Sequence, residues 1–221
     1  MLQDVLERVE AACERAGRSP CEVKLIAVTK GRDVESIRRY LLEHGHTVLG
    51  ENRIQEWRDK QPRLPGVEWH FIGNLQRNKV KYCLPFSMIH SVNSIRLADE
   101  LERQGAKHDH LFRVLAEINV SGESSKQGAP ESEAPALIGH LRSLAHVEVT
   151  GLMTMAPYVE DAEVTRPAFR RLRLLRDRLG LEELSMGMSA DFEVAVEEGA
   201  TMVRVGSAIF NPSPEAVENQ S

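Results

Sequence analysis

The chain has 221 residues, 42% hydrophobic and 28% charged, enough apolar material for one substantial core and too much for disorder. A formal net charge of -5 argues against general nucleic-acid binding, which rests on basic patches. Three cysteines without a C-x-x-C pair give neither a disulfide framework nor a zinc ligand set, and no apolar run reaches the ~18 residues of a membrane span.

Val5, Leu6, Val9, Ala12, Cys13 and Ala16 recur at spacings of three and four and predict an opening helix. The acidic start lacks the basic region and apolar run of a signal peptide, so a cytoplasmic protein with free thiols is expected. A first strand is predicted over Val23–Val28, then a turn at Gly31 and a helix carrying Ile37, Tyr40, Leu41 and His44. His46–Leu49 gives the second strand, stopped by Gly50, and Asn52–Lys60 a short helix. Val67–Ile72 is the third strand, Gln76–Tyr82 a helix, and Met88–Val92 the fourth strand; Leu97, Ala98 and Leu101 mark the helix after it. Leu111–Ile118 is the fifth strand, and Pro130 with the stripe Leu137, Ile138, Leu141 and Leu144 gives the next helix. Val147–Leu152 is the sixth strand, followed by a long helix with Leu172, Leu175 and Leu179. Leu184–Met186 is the seventh, Phe192–Glu198 is helical, and Met202–Val205 closes the series.

Strands alternating with helices predict parallel pairing through right-handed crossovers. At this length they fit a single (β/α)8 TIM barrel with an additional N-terminal helix, over residues 1–211. The alternative is an open doubly wound sheet. Such a sheet advertises a Gly-rich turn after its first strand, where this chain has Val28-Thr29-Lys30. The polar tail 212–221 is expected to be disordered.

A barrel gathers the carboxyl ends of its strands into one mouth. Those ends carry Lys30, Glu51-Asn52, Gly73-Asn74, Ser91 and Asn93, Asn119, Met153-Thr154, Gly187-Met188-Ser189 and Gly206-Ser207. Lys30 follows an apolar strand, where partial burial would suit an amine that condenses with carbonyls, although a rim lysine can equally snorkel. Ser189, Gly206 and Ser207 fall in loops seven and eight, where many barrels bind phosphate through backbone N–H groups. Ser189 can alternatively cap the helix that starts at Phe192. Arg204 alternates with Val203 and Val205: it points either into the bore, buried and needing a partner, or outward as an ion pair. The pairs His44/His46 and His108/His110 lack a third ligand and read as surface or strand-edge histidines, so no metal is expected. Met153, Met155, Met186 and Met188 read as flexible core filling.

A longer pattern runs through the same positions. Ala27-Val28-Thr29-Lys30, Gly50–Glu56, Trp69–Lys79, His90-Ser91-Val92, Asn119–Lys126 with Gly128, Gly151–Met155, Leu184–Phe192 and Arg204–Phe210 follow one another over roughly residues 23 to 210. This ordered set resembles the pyridoxal phosphate homeostasis proteins, a family that binds pyridoxal 5′-phosphate (PLP) and is related to the alanine racemase N-terminal barrel. The resemblance implies that Lys30 carries PLP as a Schiff base and that Arg204 faces the pyridine nitrogen. It implies that Ser189, Gly206 and Ser207 hold the phosphate, with Asn52 close to the cofactor. Two positions depart from the family: Asn93 stands where aspartate is usual, and Asn211 where glycine is common. Asparagine tolerates a left-handed backbone, so the turn at Asn211 is expected to survive.

The function expected is that of a carrier or buffer of PLP in intracellular homeostasis, with no catalytic residues and with PLP-dependent apo-enzymes as candidate recipients. The alternative is a PLP-dependent amino-acid racemase, which needs a proton donor on each face of the substrate Cα. In alanine racemases the group opposite the lysine is a tyrosine from a separate β-domain, and this chain ends before one could form. For the same reason a monomer is expected. An arginine at the pyridine nitrogen also weakens the cofactor as an electron sink. A third reading, a barrel enzyme acting on a sugar phosphate, needs convergent carboxylates, for which Glu51 is the clear candidate.

Overall fold

The computed structural model describes residues 1–120, 127–156 and 161–211. The tail 212–221, Tyr158 and most of the Asn119–Lys126 motif lie outside the described residues. Eight parallel strands form the barrel: β1 (Lys24–Val28), β2 (Val48–Glu51), β3 (Glu68–Phe71), β4 (Met88–Val92), β5 (Phe112–Asn119), β6 (Val147–Met153), β7 (Glu183–Ser185) and β8 (Met202–Val205). Each pairs with its successor, and β8 returns to β1 with Leu25 opposite Val203 and Ile26 opposite Arg204. The sheet is closed, which overturns the open-sheet alternative.

Alternation along each strand divides the side chains between two cores. Ile26, Met88, Leu115, Met153 and Met202 fill the bore. The intervening residues, such as Leu25, Ile89, Val114, Leu152 and Val203, join the much larger core under the helices. A strand buried on both faces reads as a nearly continuous apolar run, which is why the strands were visible in the sequence. Burying one such side chain as fully as Ile26 contributes about 1.5–3 kcal/mol.

The helices are α1 (Leu2–Arg15), α2 (Val34–Tyr40), α3 (Ile54–Lys60), α4 (Ile95–His108), α5 (Ala134–Ser143), α6 (Arg166–Leu179), α7 (Phe192–Glu197) and α8 (Ser207–Phe210). The additional helix α1 buries Leu2, Val5, Val9, Ala12 and Cys13 and packs against α7 and α8. Leu6, expected on that face, lies outside the stripe and is exposed. Arg8 and Arg15 fasten α1 to Glu193 and Glu197.

Several features differ from the sequence expectation. β2 does not stop at Gly50 but runs through it to Glu51. A Cβ at Gly50 would come 2.8 Å from Ile26 Cγ2, so the glycine answers crowding rather than ending the strand. The crossover between β3 and β4 is a 3-10 helix, Arg77–Tyr82. Ala129–Pro130 pairs beside the end of β5 instead of opening a helix, which begins at Ala134. Asn211 has φ -129°, outside the left-handed region, and its Oδ1 accepts from Arg32 at 3.0 Å. The turn there makes no left-handed demand, and asparagine supplies a side-chain contact.

Candidate functional site

The carboxyl ends of the strands surround a cavity of about 650 Å3. Lys30, Asn52, Ser189, Arg204, Gly206 and Ser207 all line it. They come from the ends of β1 and β2, the loop after β7, and β8 with the start of α8, and barrel closure brings them together.

Lys30 follows directly on the buried end of β1, but its own side chain is exposed, so the expected burial is not found. The buried residue is Thr29. Thr29 Oγ1 donates to Glu51 at 2.7 Å, and Lys60 Nζ donates to the Thr29 carbonyl at 2.7 Å and to Glu51 at 2.5 Å. On the other side of Lys30, Glu56 accepts from the Gly31 N–H at 2.8 Å. Both backbone neighbours of Lys30 are thereby tied to β2 and α3. Glu51 is fully buried in this cluster and does not line the cavity, so it is not the mouth carboxylate that a sugar-phosphate enzyme would need. Burial pushes its carboxyl above the usual carboxylate range, against the pull of Lys60 and Thr29.

Loops seven and eight meet at a hydroxyl. Ser189 Oγ accepts from the Gly206 N–H at 3.2 Å and the Ala208 N–H at 3.3 Å, at the start of α8. It does not cap α7. Asp191 precedes that helix, and its carboxylate accepts from the Met188 N–H at 2.7 Å. Gly187 (φ +90°) allows the close approach: a Cβ there would come 2.5 Å from Ala195 Cβ.

Arg204 points into the bore and is 4% exposed, which resolves the two orientations left open by its alternation. It donates to Ser185 Oγ at 2.5 Å and to the Thr154 carbonyl at 2.9 Å. Burial pulls its guanidinium down to about 10, opposed by Glu117 and Asp191. Glu117 also lines the cavity. Burial pushes its carboxyl up to about 6, with Arg204 opposing, and its Oε2 has no hydrogen-bond partner among the described residues.

Several contributing residues escaped the sequence reading. Glu117 sits inside an otherwise apolar β5, and a lone acid in a buried strand is a signal that could have marked it. His70 and His90 are buried in the bore and bonded to each other, a pairing that strand closure makes and that their separation in the chain does not show, unlike the H-x-H pairs. Lys60 and Glu56 stand four apart on α3, a spacing that reads as an ordinary helix pair until the fold brings Thr29 and Gly31 beside them. Of the methionines, Met153 and Met186 fill core, but Met155 and Met188 line the cavity.

The closed barrel, with a lysine after its first strand and a hydroxyl–glycine cradle at its last two loops, is that of the alanine racemase N-terminal domain family, which matches residues 2–214. A pyridoxal phosphate homeostasis protein of Aquifex aeolicus is 46% identical over 218 residues, 95% of each chain. Its counterpart in Homo sapiens is 37% identical, covering 95% of this chain and 84% of that one. PipY of Synechococcus elongatus, solved with PLP bound, is 33% identical with a TM-score of 0.81, covering 92% of this chain and 100% of that one. An alanine racemase of Clostridium difficile shares the fold at 15% identity and a TM-score of 0.72, the match taking in 97% of this chain and 58% of that one. The chain belongs to the pyridoxal phosphate homeostasis protein family.

Proposed function

We propose that this protein binds PLP as a Schiff base on Lys30 and serves as an intracellular carrier or buffer of the cofactor. The observation that carries the reading is the convergence on one cavity of an accessible primary amine, a buried guanidinium and the cradle of Ser189, Gly206 and Ser207. The residues fit the cofactor. The cavity is within the ~300–1,000 Å3 range of small-molecule sites. Gly206 and Ala208 direct two N–H groups at one oxygen, an arrangement equally suited to a phosphate oxygen, and Ser207 adds a hydroxyl. A Cβ at Gly206 would stand 3.2 Å from the Val28 carbonyl, narrowing the same wall. Asn52 Oδ1 is buried beside the cavity without a hydrogen-bond partner among the described residues, ready to accept from a ligand.

PLP supplies an aldehyde that condenses with amines and a ring whose electron-withdrawing power depends on its nitrogen. Arg204 is the group assigned to that nitrogen. A guanidinium can only donate, so it favours an unprotonated ring and works against carbanion chemistry. The relatives bound to PLP or named for its homeostasis support the same ligand here. The racemase reading lacks a tyrosine opposite the lysine among the described residues: Tyr40 packs edge-on against Phe210, Tyr82 lies beside Arg58, Lys79 and Lys81, and neither lines the cavity.

PLP titrated into the protein is expected to give a near-visible imine band that Lys30→Ala lacks, with no robust racemisation of free alanine. Identical free-aldehyde spectra for parent and variant would overturn the site. Robust racemisation abolished in Lys30→Ala would overturn the carrier role.

A further inference from the structure

We infer that Ser185, His90 and His70 are positioning residues: a one-way hydrogen-bond relay that seats the Arg204 guanidinium and ties it to the Glu68 carboxylate at the other end of the bore. Its consequence for the cofactor rests on the reading of Arg204 given above. The links are continuous. Arg204 donates to Ser185 Oγ at 2.5 Å, Ser185 Oγ lies 2.9 Å from His90 Nδ1, and His90 Nε2 lies 2.9 Å from His70 Nδ1. His70 Nε2 lies 2.8 Å from Glu68 Oε1, and Lys24 Nζ donates to that same oxygen at 2.9 Å. Ser185, His90 and His70 are each no more than 1% exposed.

The two ends set the direction. A guanidinium only donates and a carboxylate only accepts. With both rings neutral, Glu68 requires the His70 hydrogen on Nε2, so His70 Nδ1 accepts. The His90 hydrogen then sits on Nε2, and His90 Nδ1 accepts in turn. The Ser185 hydrogen must point at His90, which leaves the Ser185 oxygen as a dedicated acceptor for Arg204. Any tautomer change breaks a buried link, at the cost of an unpaired polar group. A merely space-filling role would be met by apolar side chains like Ile26, Met88 and Leu115 in the same bore.

Four charged groups surround the relay. Lys24 faces it from β1, Glu68 from β3, Glu117 from β5 and Arg204 from β8. Burial above all, with the cations Arg204 and Lys24 adding to it, holds His90 well below the usual histidine range. The hydrogen bond from His70, assisted by Lys24 and opposed by burial, brings Glu68 down to about 2, so the accepting end stays ionised. Protonating His70 would oblige its Nδ1 to donate, turn the His90 tautomer and take the Ser185 hydrogen out of the chain.

The test is 15N NMR of the full chain with labelled histidine, recorded without PLP at about pH 8. Both rings are expected neutral and protonated at Nε2, with coupling across the His90–His70 hydrogen bond. A cationic ring, or the Nδ1–H form at either position, would overturn the relay. In Ser185→Ala, PLP is still expected to reach Lys30, trapped by borohydride, but with about tenfold weaker binding, the size of one lost hydrogen bond to a charged group. Undiminished affinity would count against the positioning role. The NMR result involves no cofactor, so failure of the parent protein to trap PLP would count against the site and leave the relay standing.

Discussion

At the residue scale, Glu117 and Arg204 show how the bore shapes the chemistry of its mouth. The carboxyl has Arg204 for a neighbour, yet it is raised to about 6 against an ordinary value of ~4.3, because desolvation outweighs the attraction. The sign of its pH effect follows directly. Below pH ~4 the group is protonated in both folded and unfolded chains, and its contribution to stability is fully present. As the pH rises through about 6 the unfolded chain ionises more easily, and about 2 kcal/mol is lost. Glu117→Gln is therefore expected to be about 2 kcal/mol more stable than the parent at pH 8 in denaturant unfolding, the gap closing near pH ~4. Equal stability at pH 8 would show that Glu117 is ionised without penalty.

At the element scale, the loop after β1 owes its shape to α3. Lys60 is 7% exposed and Glu51 fully buried, so the pair is held in place of water by its own contacts and by Thr29. Lys60→Met leaves a buried carboxylate without its cation and is expected to cost about 3–5 kcal/mol, whereas adding Glu51→Leu should restore most of the loss. Denaturant midpoints of the two variants decide it, and a single variant as stable as the parent would refute the clamp.

The strands were legible because a chain buried on both faces shows short apolar runs, and barrel closure followed from their number and alternation. The loop clamp was not legible, because its groups come from the loop after β1, from β2 and from α3 and meet only in three dimensions. Lys30 and the hydroxyl–glycine pairs were legible as polar residues at strand ends, and Arg204 as a charge between two valines. Glu117, His70 and His90 were not singled out, because nothing in a single strand says which face turns inward to a polar bore. Lys30 is exposed because the buried run that begins in β1 ends at Thr29.

At the scale of the whole molecule, one barrel supplies the cavity, and no helix among the described residues is long and apolar enough to cross a membrane. Among those residues, the exposed large hydrophobics are Leu6, Ile95, Leu111, Met155, Val164 and Leu174, spread over separate elements rather than gathered on one helix or strand face. We expect a monomer, with a sedimentation mass of 24.8 kDa across the micromolar range; a concentration-independent mass of twice that value would contradict it. On the proposed reading, a reversible imine at the exposed Lys30 would suit release to an acceptor, with the relay beneath it holding Arg204 in place. The most direct test of this account is to reduce the PLP-loaded protein with borohydride and map the adduct by peptide mass spectrometry. The account predicts one pyridoxyl adduct, on the peptide containing Lys30. An adduct on Lys60, or spread over surface lysines in proportion to their exposure, would contradict it.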